Sequence, residues 1–137
     1  MAHEIKVSIA AANAKADAWA TAMVSGKIRV YQGTKPATAD TSLGAAVLLA
    51  EGTMGNPAFG SVSNGLLTAN AITKDSDADA NGTAQFYRLF KADGTTPMGD
   101  GTAGVTGSGS DLEMPTVSIV IHGEVTFPSF THQESLG

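Results

Sequence analysis

A chain of 137 residues allows one domain with a modest core, and with 6% aromatic residues that core has to be thin and built from small side chains. A net charge of −5 and eight basic residues scattered from Lys6 to Lys91 exclude an ordinary nucleic-acid binder, which clusters Lys and Arg to displace counterions. There is no cysteine for a disulfide or a thiolate metal site, and no run approaches the roughly 18 apolar residues of a membrane-spanning helix.

Residues 1–7 read as an N-terminal arm. They lack a basic start followed by a long apolar run, so no signal peptide is expected and synthesis in a cytosol is. Residues 8–24 read as a helix. Ser8 is the N-cap, alanines supply high propensity, and Ala12, Ala16, Trp19, Ala20 and Met23 recur on one side, with Gly26 as the C′ residue. Trp19 is its one bulky anchor and is expected to pack.

Lys27–Gln32 alternates as a strand with one wet side. Residues 33–40 (GTKPATAD) form a loop, Val47–Met54 a second strand, and residues 58–60 a short edge piece. Ser63-Asn64-Gly65 is a tight turn, and Leu66–Thr73 a further strand. After the loop 74–82 comes the stretch on which the chain is organised, Thr83–Lys91 (TAQFYRLFK). Read as a strand, it puts Ala84, Phe86, Arg88 and Phe90 on one face, and Thr83, Gln85, Tyr87 and Leu89 on the other. Large apolar groups on both sides predict a strand covered above and below.

A weak strand is expected around Thr96–Gly99, and five glycines in residues 99–111 predict a long mobile loop. Residues 113–121 hold TVSIVI, the most β-branched run, and Val125–Thr131 closes the domain with Pro128 at an edge or bend. Residues 132–137 read as a loose tail. The expected fold is mainly β: one N-terminal helix and an antiparallel β-sandwich of seven or eight short strands spanning residues 8–131.

Asp75, Asp77 and Asp79 alternate as calcium ligands do and are the candidate metal residues. An EF-hand, however, needs Gly where Ala80 stands and Glu where Phe86 stands, so a solvated acidic loop is the preferred reading. Asp100 and Asp111 could add to an oxygen site, but no spacing requires it. His3, His122 and His132 share no ligand spacing, and Gly107-Ser108-Gly109 opens no helix that could cradle a phosphate. Arg88 is expected to pair with a carboxylate such as Glu51 or Glu113, or to reach solvent past Phe86 and Phe90. No catalytic set emerges, so a non-enzyme without a cofactor is expected.

Four phrases together resemble a family of small virion structural proteins of tailed bacteriophages. They are GKIRVYQGTKPATADT, LLAEGTMGNPAFGSVSNG, TANAITKDSDADANGTAQFYRLFKADGTT and SDLEMPTVSIVIHGEVTFPSFT, in unbroken order over most of the chain. The N-terminus and residues 132–137 depart from the family pattern. The resemblance implies a protein made in the host cytoplasm and located in the virion, with a capsid decoration (cement) protein as the first expectation. A neck, collar, tail or fibre component is one alternative, and a calcium- or carbohydrate-binding attachment module is another. Implied partners are the major capsid protein or other virion proteins, with a homo-oligomer, a trimer favoured, and neither nucleic acid nor membrane. The expected contact surfaces are residues 1–7, 33–40 and 99–111.

Overall fold

The structure is a computed structural model that describes residues 6–134. It is mainly β with one helix, in the order α1 (Ile9–Ala22), β1 (Lys27–Gln32), β2 (Val47–Thr53), β3 (Leu66–Thr68), β4 (Gly82–Thr83), β5 (Phe86–Phe90), β6 (Pro97–Val105), β7 (Leu112–Met114), β8 (Ser118–Ile119) and β9 (Thr131–Gln133). Five strands form one sheet in the order β2-β1-β5-β6-β7, while β3 pairs with β9 and β4 with β8 as separate two-stranded ribbons. One curled sheet and two ribbons thus stand where two antiparallel sheets were expected. The main sheet is also mixed, because β7 runs parallel to β6.

The helix starts as its sequence predicts. The Ser8 hydroxyl accepts from the Ala11 amide at 3.1 Å, satisfying one of the donors a helix start leaves free. Ala12, Ala16 and Met23 are buried, and Trp19 and Ala20 pack against the core from its margin. The helix end differs from expectation. Ser25, not Gly26, takes the left-handed conformation, at φ 56°. Gly26 instead lies where the backbones converge: a Cβ there would come within 2.7 Å of the Phe90 carbonyl oxygen.

The central strand is shorter than TAQFYRLFK but has the predicted faces. All five residues of β5 are buried. Toward one side, Tyr87 meets the Phe130 ring at 6.1 Å, in a core that also gathers Ala16, Met23, Ile28, Val30, Leu89 and Phe127. Toward the other, Phe86 stacks on Tyr31 at 5.1 Å and Phe90 lies 4.6 Å below the Arg29 guanidinium. Thr83 belongs to a different ribbon, because the chain bends at Ala84–Gln85 between β4 and β5.

The second face carries a row of charge across four strands. Glu51, Arg29, Arg88 and Asp100 stand directly opposite one another along β2, β1, β5 and β6. Like charges facing each other on neighbouring strands repel, and here each arginine has its own carboxylate on its outer side. Arg29 Nε donates to Glu51, and Arg88 Nη2 to Asp100 at 3.2 Å. Arg88 is 4% exposed. It therefore neither reaches solvent nor pairs with Glu51 or Glu113; the Glu113 carboxylate accepts from the Gly109 amide instead. The Arg88 guanidinium also donates to the carbonyls of Thr41 at 2.8 Å and Thr38 at 3.2 Å, and so ties residues 33–46 across the sheet as a strap.

Residues 99–111 are not a loop. Most of them lie in β6, a nine-residue strand that continues the expected Thr96–Gly99 piece. Two of its glycines are places of close approach: a Cβ on Gly101 would come within 2.7 Å of the Tyr87 hydroxyl and 2.8 Å of an Asp111 oxygen, and one on Gly104 would meet the Ser108 and Ser110 hydroxyls. Parallel neighbours are usually joined by about a dozen residues or more. Here residues 106–111 suffice, and the Asp111 carboxylate holds the turn by accepting from the Thr102 amide at 2.9 Å and its hydroxyl at 3.1 Å.

Three other segments differ from expectation. Of LLTANAIT only Leu66–Thr68 is strand, and the rest is held by isolated bridges. Of residues 125–131 only Thr131 is in a strand; Val125 makes one bridge to Asp75. Conversely, His132 and Gln133 of the expected loose tail pair with Leu67 and Leu66 in β3–β9. His132 stacks on Trp19 at 3.9 Å, which adds an aromatic reason for that tail to dock.

Candidate interaction surface

The β-branched run TVSIVI does not form the long strand that its propensity predicts. Only Ser118–Ile119 pairs, with Gly82–Thr83. The chain then turns sharply at residues 120–123, where the Gly123 amide donates to the Val120 carbonyl at 2.9 Å and His122 takes a left-handed φ of 66°. The turn leaves Val120 63% and Ile121 40% exposed. Scattered apolar exposure is ordinary, but two adjacent β-branched side chains on one turn form a local apolar tip.

The tip is fixed from below by the acidic segment. The Ile121 amide donates to Asn81 Oδ1 at 2.8 Å, the His122 amide to the Ala78 carbonyl at 2.9 Å, and the Ala78 amide to the Gly123 carbonyl at 3.0 Å. His122 Nδ1 lies 2.7 Å from Asp77 Oδ1. Backbone amides and carbonyls that would otherwise cost free energy are thus satisfied within the turn. Beside the tip lies a cavity of about 150 Å³ lined by Met114, Pro115, Ile119, Val120 and Val125, among others.

Two of the three candidate metal residues, Asp75 and Asp77, are engaged in this scaffold. Asp75 accepts from the Glu51 amide at 2.8 Å through one oxygen and from the Asp77 amide at 2.9 Å through the other. Asp77 faces His122, and Asp79 shares the segment without converging on either. Among the described residues no group of three His, Asp or Glu side chains is placed to hold a metal ion. The Asp79 carboxyl is pushed above the usual carboxylate range, first by desolvation and then by the negative charges of Asp75, Glu51 and Asp77.

The remaining sequence candidates lie apart. Asp100 is tied to Arg88, and Asp111 to Thr102. His132 packs on Trp19, and Glu134 lies 3.2 Å from its Nε2. Gly107-Ser108-Gly109 caps the β6–β7 turn. His3 and residues 1–5 of the expected arm lie outside the described residues. Of the expected contact surfaces, residues 33–40 belong to the strap, which keeps Thr34, Lys35, Ala37, Thr38 and Asp40 exposed. Residues 99–111 are largely sheet. Sequence reasoning passed over the Val120–Ile121 tip. The available signal was the break in alternation, since Val120 shares a strand parity with Ser118 and stands just before His122-Gly123.

No protein-family model matches the chain, and no curated protein or solved structure matches it either.

Proposed function

We propose that this chain is a structural subunit of a tailed-phage virion, placed as a decoration protein on the outer capsid surface. The observation that carries this reading is the pinned, exposed apolar tip at Val120–Ile121, presented by a small domain whose central strand β5 is already buried on both faces. Such a domain has no need of a partner for its core and keeps its apolar contact surface for docking. The resemblance of four phrases to virion structural proteins supports the same reading. In it, the two ribbons and the C-terminal segment act as the second layer of an incomplete sandwich over the main sheet. Copies assemble as trimers and bridge neighbouring capsomers, and many modest contacts add up to resistance against internal pressure.

The test adds purified protein to capsids assembled without it and measures binding and the temperature at which the shells rupture. Saturable binding and a higher rupture temperature are expected. Absence of binding, or label confined to the neck or tail of intact virions, would move the protein off the head.

A further inference from the structure

We infer that the Val120–Ile121 tip docks into an apolar socket rimmed by lysine or arginine side chains on a different protein, not on a second copy of this chain. The inference rests on the decoration reading and names the chemistry of the partner surface.

Charge decides between the two occupants. The tip is flanked by Asp77, whose side chain is 72% exposed, by Asp79 on the same segment, and by Glu124 immediately after the turn. Lys74 lies 2.8 Å from Glu124 and is already paired with it. His122, bonded to Asp77, is the other basic group at the turn. No lysine or arginine follows Lys91 in the chain. Three carboxylates against one lysine and one histidine leave an acidic collar around an apolar point. Two such collars brought face to face would place like charges at short range in a surface that is losing water, which is unfavourable. A basic rim would be attracted to the same collar, while the apolar centre supplies the burial. The neighbouring cavity lined by Met114, Pro115 and Val125 offers a reciprocal hole for one apolar side chain of the partner. The pinned backbone keeps both features preorganised, so little ordering entropy is lost on docking.

The test compares wild type with the double variant V120S/I121S and with D77N/E124Q, after equal melting temperatures have shown that all three fold. Two probes are used: a matrix bearing both hexyl chains and amine cations, and capsids assembled without the protein. On the matrix, wild type should elute at higher salt than either variant. On capsids, the double variant should bind at least about tenfold more weakly, and wild-type binding should weaken as salt is raised. Tip variants that behave like wild type on both probes would overturn the inference while leaving capsid decoration intact. Wild type that ignores capsids but keeps its tip-dependent retention would overturn decoration and support the tip's chemistry. Sedimentation is the third readout: an oligomer that V120S/I121S dissolves would mean that a second copy covers the tip, and would also overturn the inference.

Discussion

Two regions of this molecule invert the usual arrangement in opposite senses. Under the strap, an arginine and an aspartate are buried in the middle of the main sheet. At the far turn, a valine and an isoleucine stand in water. The first works because every charge in the row Glu51–Arg29–Arg88–Asp100 has a counter-charge directly across a strand, and because strap carbonyls take up Arg88's remaining fork. Arg88 Nε alone finds no partner among the described residues. The second works because the Ile121, His122 and Gly123 amides beneath the tip are all hydrogen-bonded, so the turn holds its shape while the side chains stay exposed. Buried charge here closes the fold upon itself, and exposed apolar surface leaves it open to something else.

The sharpest way to break the contrast is Asp100→Ala. Removing one member of a buried pair strands the other, at a cost of about 3–5 kcal/mol, and the strap should loosen with it. Urea denaturation would show the lost stability, and hydrogen exchange would show residues 38–41 opening first. Unchanged stability would mean that Arg88 is solvated in solution.

A smaller effect lies on the opposite face of the same strand. Desolvation, followed by the charges of Asp111 and Asp100, pushes the Tyr87 hydroxyl up to about 12 from 10.0. The unfolded chain therefore releases this proton first. Its contribution is complete below pH 10 and is lost as pH rises from there toward 12, a difference of roughly 2–3 kcal/mol. Burial raises Tyr31 in the same direction, against Arg29, so it adds to the same window. Tyr87→Phe should flatten the alkaline part of a stability–pH curve. An unaltered slope would assign the loss to Tyr31 or elsewhere.

The smallest expected change completes the comparison. V120S/I121S should shift stability by no more than about 0.5 kcal/mol, as surface substitutions do, measured by the same urea titration. A large loss would show that the tip belongs to the core after all.

The parts of this fold that were readable are those where side chains report directly on their surroundings. Alanines at helical spacing after Ser8 placed α1. Clean alternation placed β1, and large residues on both sides of β5 announced its double cover. Strand β6 was invisible because its glycines have no side chains to alternate; the reason for Gly101, the nearness of Tyr87 and Asp111, is a tertiary one. Arg88's partner was hidden for the same cause, since Asp100 sits in the stretch that reads as a loop. TVSIVI misled in the other direction. β-branched propensity records fitness for a pleated surface, and after Ile119 no neighbouring strand among the described residues supplies one. The apolar tip is what remains when that propensity goes unused.

The docking of β9 has a mechanical corollary. Gly65 lies against both Ala12 of the helix and Glu134, while Trp19 is stacked on His132. Tension applied between Ile9 and Glu134 would run through this small corner and shear the three-residue β3–β9 ribbon. The five-stranded sheet would carry none of the load, so a tug on this domain from either side would unbuckle its rim long before it reached the heart.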